Sequence, residues 1–258
     1  MNVKMALVSG SSQGIGRASA IALAQAGMNV VLIARDEDRL RSVLNELANN
    51  GEQQHQILVA DFTNPLALQQ KIGAFISEGN IIHVLVNNTG GPKGGPIIEA
   101  NIEEFTNTFN QHLICNHIMT QALIPGMKAA GFGRIINIIS TSVKQPLANL
   151  GVSNTIRGAV ANWSKTMANE LGQFGITVNN VLPGATHTGR LEEIAGVRAQ
   201  KTGETIEEIF MDMGMESPMK RIAQPEEVAA AVAFLASEKA SYINGINLPV
   251  DGGRTKSL

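Results

Sequence analysis

A chain of 258 residues with 44% hydrophobic and 16% charged side chains can bury one large core, and it is too apolar and too weakly charged for a disordered segment. Its formal net charge of −2 and pI of about 6.2 come with no Lys/Arg cluster, which argues against a nucleic-acid or anionic-membrane surface. A single cysteine, Cys115, excludes an internal disulfide, points to the cytoplasm and reads as a small buried hydrophobe rather than a nucleophile; no apolar run has the length of a bilayer span.

Taken in chain order, short apolar runs alternate with longer amphipathic ones. Val3–Ser9 predicts a first strand, and Met5-Ala6-Leu7-Val8 running into a glycine loop reads as that strand rather than as a leader. Gly16–Ala26 predicts a helix, Val30–Ala34 a strand, Asp38–Asn49 a helix, Gln56–Asp61 a strand and Leu66–Glu78 a helix. Ile82–Asn87 follows as strand four, Ile102–Ala130 as one long helix, and Arg134–Ser140 as strand five. Ser153–Phe174 predicts a helix, Thr177–Leu182 strand six, Glu226–Ala236 a helix and Gly245–Pro249 a last strand. This alternation implies an α/β fold, a doubly wound parallel sheet with helices on both faces, in a single domain over residues 1–258. The stretch 189–218 breaks the rhythm. It is helical in character and carries Met211, Met213 and Met215, with Met219 just beyond. It reads either as a substrate lid over the carboxyl edge of the sheet or as ordinary packing.

Ser9-Gly10-Ser11-Ser12-Gln13-Gly14-Ile15-Gly16 lies between a predicted strand and a predicted helix. Glycines there permit a tight turn and close approach of a pyrophosphate, and the helix N-terminus offers free N–H groups. Gly10, Ser12, Gln13, Gly14, Ile15 and Gly16 are therefore candidate cofactor contacts. The spacing is Gly-x-x-x-Gly-x-Gly, which resembles the short-chain dehydrogenase/reductase family, a Rossmann-type fold. Further motifs carry the resemblance along nearly the whole chain: Asn87-Asn88-Thr89-Gly90 after strand four, Asn179, Pro183-Gly184 with Thr188, and Val250-Asp251-Gly252-Gly253.

The resemblance implies that Asp61, followed by Phe62, lies at the adenine, that Asn87, Thr89 and Gly90 border the cofactor, and that Pro183, Gly184, Thr186 and Thr188 flank the nicotinamide. At the end of strand two, Ala34 stands where NAD-preferring relatives carry aspartate, and Arg35 follows. A guanidinium can pair with a 2′-phosphate, so NADP(H) is favoured over NAD(H), with a solvated Arg35 as the other reading. Asp36 and Glu37 would repel that phosphate if they turned inward.

The family does its acid–base work with a serine, a tyrosine thirteen residues on, a lysine four further, and an asparagine from the preceding helix. Here Ser140 fills the serine slot, Ser153 the tyrosine slot, Arg157 the lysine slot and His112 the asparagine slot. The only tyrosine, Tyr242, lies near the last strand. An alkyl hydroxyl is a far weaker acid than a phenol, and arginine holds its proton, but Arg157 can still hold the ribose. His112, expected to titrate near physiological pH, and Lys144 in Ser142-Val143-Lys144-Gln145-Pro146 are the substitute proton donors. Each has a plainer reading, a packed ring for His112 and a solvated loop residue for Lys144. Asn154 can orient a substrate, and Lys93 in the loop 90–96 can meet an anionic one. Asn87–Pro92, Ser142–Pro146 and Ser153–Arg157 together resemble an atypical branch of the family marked by Asn-Asn-Thr-Gly-Gly-Pro, Ser-Val-Lys-Gln-Pro and Ser-Asn-x-x-Arg.

Three functions follow. The leading expectation is an NADP(H)-dependent oxidoreductase interconverting a small carbonyl compound and an alcohol. The others are a non-catalytic NADP(H)-binding protein and a non-redox lyase or isomerase. Similarity to the family also implies a homotetramer or homodimer, and acyl-carrier-protein reductases offer the nearest substrate analogy. No metal-ligand cluster is visible.

Overall fold

The computed structural model describes residues 3–257. Its strands are β1 (Met5–Ser9), β2 (Asn29–Ala34), β3 (Gln56–Val59), β4 (Val84–Asn87), β5 (Gly133–Ile138), β6 (Ile176–Pro183) and β7 (Asn247–Val250). All pair in parallel, in the order β3-β2-β1-β4-β5-β6-β7. The order reverses between β1 and β4, and that reversal opens the crevice where such sheets take ligands.

The helices are α1 (Gly14–Gln25), α2 (Glu37–Leu44), α3 (Pro65–Ser77), α4 (Ile102–Phe109), α5 (Cys115–Ala130), α6 (Gly151–Leu171), α7 (Gly189–Thr202), α8 (Ile206–Met215) and α9 (Pro225–Ala236). Successive strand residues face opposite layers, because side chains alternate along a strand. Ala6, Val8, Val30 and Leu32 pack with Leu23 of α1, Leu40 of α2 and Val232 of α9. Leu7, Val31 and Ile33 pack on the other face with Ile72 of α3, Leu123 of α5 and Leu171 of α6. Each fully buried leucine or isoleucine contributes about 1.5–3 kcal/mol, and burial on both faces explains why the strands read as unbroken apolar runs.

Local chemistry sets the helix starts. Asp36, Asn64 and Thr188 accept backbone N–H bonds as caps of α2, α3 and α7, and Thr205 with Glu208 makes a capping box for α8. Most expected boundaries move by a few residues, since helix and strand ends depend on cap geometry that periodicity does not encode.

Two differences matter for the site. The long helix expected over 102–130 is interrupted by a π turn, Asn110–Ile114, that carries His112; a single widened turn adds one residue to a run that still reads as helical on both sides, so composition does not show it. Strand five ends at Ile138, and Ser140 instead caps a short turn, Thr141–Val143.

The segment after β6 folds into α7 and α8, cross-braced by Arg198 to Glu204 at 2.7 Å and to Asp212 at 2.6 Å. His187 stacks edge-on against Phe210. Met211, Met215 and Met219 are exposed rather than packed in a core. Among the described residues no helix is long and apolar enough to cross a membrane.

Candidate active site at the carboxyl edge of the sheet

The glycine loop is built for close approach. Gly10 has φ +59°, and a Cβ on Gly16 would lie 2.2 Å from the Gly10 carbonyl oxygen and 2.6 Å from Asn88 Nδ2. Asn88 clamps the loop, donating from Nδ2 to the carbonyls of Ser9 and Gly10 at 3.3 and 3.2 Å. Ser9 Oγ in turn donates to the Asn88 carbonyl at 3.0 Å. No side chain caps α1 and its first turn holds no acid, which leaves the positive end of the helix to an anion. Ser12, Gln13, Gly14 and Ile15 complete this cradle, with Gly14 packed toward Thr188.

At the end of β2, Arg35 is exposed. Asp36 does not turn inward: its carboxylate caps α2 and pairs with Arg39 at 3.2 Å. Glu37 pairs with Arg41 at 2.6 Å. Arg39 also donates to Gln13 Oε1 at 2.9 Å, so a second guanidinium reaches the rim of the glycine loop. Asp61, at the end of β3, is held below the usual carboxylate range, chiefly by the Thr63 backbone N–H, with the charge of Arg35 adding to it. Phe62 follows, and its carbonyl accepts a hydrogen bond from the Cys115 thiol at 3.3 Å. Burial, with the charge of Asp61, pushes that thiol up to about 12, which leaves it inert.

Asn87 ends β4, fully buried, and begins an amide ladder. Its Nδ2 donates to Asn137 Oδ1 at 2.8 Å, Asn137 donates to Asn180 Oδ1 at 2.9 Å, and Asn180 donates to Asn247 Oδ1 at 2.8 Å. The four residues are in register across β4, β5, β6 and β7. Beyond Asn87 the loop 90–96 forms a wall, tied to the entry of α6 by Gly95 N–H to the Asn149 carbonyl at 2.7 Å. Lys93 on this loop is exposed.

The chemistry-bearing side chains gather at the same edge. Ser140 Oγ accepts from the Ser142 backbone N–H at 3.1 Å and is half-buried. Ser153 and Asn154 lie in the first turn of α6, and Asn154 Nδ2 donates to the Leu147 carbonyl at 2.8 Å. One turn on, Arg157 is 8% exposed and donates to the Ile138 carbonyl at 2.7 Å, two residues short of Ser140. Desolvation first, and then the charge of Arg190, lower its pKa to about 10. Lys144 follows the Thr141–Val143 turn, half-buried.

His112 corrects an expectation. Its ring is 2% exposed, 2.6 Å from Thr89 Oγ1 and hydrogen-bonded to the Gly90 backbone. Burial first, and then the charge of Arg157, hold its pKa well below the ordinary histidine value. The ring is neutral at physiological pH and is not an imidazolium donor.

From β6, Pro183 and Gly184 lead into Thr186, whose hydroxyl donates to the Gly184 carbonyl at 3.1 Å, and into Thr188, the cap of α7. Arg190, in the first turn of α7, reaches across to the Pro92 carbonyl.

The family model described as Enoyl-(Acyl carrier protein) reductase matches residues 10–255. The chain is 34% identical to the NADPH-dependent reductase BacG of Bacillus subtilis, over the full length of both. The chain belongs to the short-chain dehydrogenase/reductase family. Among solved structures, YwfH, an NADPH-dependent reductase involved in bacilysin biosynthesis, superposes with a TM-score of 0.93 at 33% identity, covering both chains completely. L-Sorbose reductase from Gluconobacter frateurii, complexed with NADPH and L-sorbose, gives a TM-score of 0.92 at 32% identity, covering 100% of this chain and 98% of that one.

Within this short-chain dehydrogenase/reductase frame, sequence reasoning missed Arg39, Arg190 and three of the four ladder asparagines. The ladder left a signal, since each of four largely apolar strands carries an asparagine. The two arginines left none, because their partners at the site, Gln13 for Arg39 and Pro92 for Arg190, lie far from them in the chain. A separate cavity of about 250 Å³ lies between Met213, Met219 and the Asp251–Arg254 turn, away from Ser140. Among the described residues no group of side chains is suited to hold a metal ion.

Proposed function

We propose that this chain is an NADP(H)-dependent oxidoreductase that interconverts a carbonyl and an alcohol with a non-standard proton donor. The observation that carries the reading is a complete dinucleotide cradle ending on Ser140 and Arg157. The cradle fits the cofactor: Gly16 admits no side chain, α1 has no competing cap, and both acids beside Arg35 are occupied by other arginines. Gly10–Gly16 hold the pyrophosphate, Arg35 with Arg39 meets the 2′-phosphate, and Asp61 and Phe62 border the adenine. Asn87, Thr89, Gly90, Pro183, Gly184, Thr186 and Thr188 line the nicotinamide end. When bound, the cofactor supplies the hydride.

Ser140 hydrogen-bonds the substrate oxygen, and Arg157 holds the ribose and contributes positive charge near the oxygen as it becomes negative. The Ser140 and Ser153 hydroxyls are weak acids, Arg157 retains its proton and His112 is neutral, so the tyrosine–lysine relay has no direct equivalent. Lys144 is the side chain at this edge that can release a proton, directly or through water. Asn154 orients the substrate, residues 189–218 act as its lid, and the chain assembles as a homotetramer or homodimer.

NADPH oxidation against a panel of aldehydes, ketones and 3-oxoacyl thioesters, with product analysis, tests this. Turnover that falls about 10²- to 10⁴-fold in Lys144→Ala supports the assignment. Folded, NADPH-loaded protein that reduces none of them favours a binding protein, the reading to which the neutral His112 lends support.

A further inference from the structure

The catalytic edge gathers two guanidiniums, and among the described residues the acid that meets them, Glu193, lies on the solvent side. Arg157 is buried and makes its one hydrogen bond among the described residues to a neutral carbonyl, that of Ile138. Arg190 comes from the opposite side of the mouth, from a helix whose cap, Thr188, packs near Gly14. Its guanidinium donates to the Pro92 carbonyl, and a Cβ on Gly91 would lie 3.6 Å from its Nε. The two guanidiniums feel each other as like charges. Glu193 meets Arg190 at 3.0 Å, but that carboxylate is 70% exposed and screened by solvent. A guanidinium has five N–H donors, and these contacts use few of them on either residue. Ser142 Oγ and Asn154 Oδ1, near Ser140, are buried without a hydrogen-bond partner. Buried charge of one sign is retained where a ligand brings the other, and arginine grips carboxylates in a two-point fork.

We propose that the substrate is a carbonyl compound that also bears a carboxylate, and that Arg190 is the residue that holds this carboxylate over the nicotinamide end. This rests on the oxidoreductase reading above. The like charge of Arg157 adds to the attraction, and the open oxygens of Ser142 and Asn154 receive hydroxyls carried by the same molecule. The rival anion is the cofactor's own pyrophosphate, and the experiment separates the two.

The test uses 2-oxo acids paired with their methyl esters, on the wild type, Arg190→Met and Arg190→Lys. Binding of the matching 2-hydroxy acids to NADP⁺-loaded protein is followed by calorimetry, and NADPH affinity by fluorescence. We expect the wild type to favour acid over ester in kcat/KM, and Arg190→Met to erase about 10- to 100-fold of that ratio through KM, with partial rescue in Arg190→Lys. NADPH affinity that falls in Arg190→Met while the acid-to-ester ratio stays as in the wild type assigns Arg190 to the pyrophosphate and overturns the proposal. Reduction of carbonyls with no acid preference overturns it too, leaving the oxidoreductase reading in place. Calorimetric binding of hydroxy acids that depends on Arg190, without turnover, supports the carboxylate grip and overturns the oxidoreductase reading instead.

Discussion

His112 shows how the surroundings of one residue can reverse its expected role. Spacing places the ring at the catalytic edge, but the burial that brings it there also removes its charge. The folded pKa lies below the unfolded value of about 6.5, so the unfolded chain binds more protons in acid. Stability from this group is intact above about pH 6.5 and is lost as pH falls below it. Thermal melts between about pH 7.5 and 5 should therefore show a shallower acid loss for His112→Asn than for the wild type, and parallel curves would count against a neutral buried ring. Gly16 tests the cradle in the same way. Gly16→Ala places a methyl group against the Gly10 carbonyl, so NADPH affinity should fall sharply and stability by about 1–3 kcal/mol, read by fluorescence titration and denaturant melts. Glycine positions such as this are legible from sequence, because the motif exists to exclude side chains. Whether a histidine is charged is not legible, because the guanidinium that discourages its charge is 45 residues away in the chain.

Among the elements, the strands and most helices follow from periodicity alone. The elements that shape the site depart from it: a π turn inside a run that looks uniformly helical, and a strand that stops two residues short of its serine. The first carries His112 against Thr89, and the second lets Ser140 cap the Thr141–Val143 turn. The helix pair α7–α8 makes a prediction of its own. Arg198 is the brace between them, tied to Glu204 and Asp212 near the surface. Arg198→Ala should leave the melting temperature close to that of the wild type, as is usual for exposed pairs, while KM for the carbonyl substrate rises severalfold and NADPH affinity holds. A fall in melting temperature with unchanged KM would make the pair a packing element instead of a lid. Of the methionines that suggested a lid, Met211, Met215 and Met219 stay exposed on α8 and beyond it and offer an apolar surface, while Met213 is partly buried.

In the molecule as a whole, the doubly wound parallel sheet was readable because its central strands are buried on both faces and strands alternate with helices along the chain. What the reading could not supply is which polar groups meet across that sheet. Asn137 sits at the centre of the answer, 0% exposed and bonded to Asn87, Asn180 and Ser164. Asn137→Leu strands amide groups on both neighbours, so it should cost about 2–4 kcal/mol and lower the melting temperature by roughly 5–15 °C, measured by calorimetry. A loss below about 1 kcal/mol would mean the ladder is incidental.

That ladder has a further consequence for how the chain reaches its fold. A parallel sheet buried on both faces offers many near-equivalent registers, since one apolar side chain replaces another at little penalty. With an asparagine at the same level in four adjoining strands, a slip of one residue breaks the match of amide with amide and turns a side chain to the opposite face of the sheet, among Ala6, Val8, Ile136 and Val181. The row of asparagines thus acts as an alignment key: a shifted strand leaves amides desolvated and unpaired, a penalty that the native threading escapes.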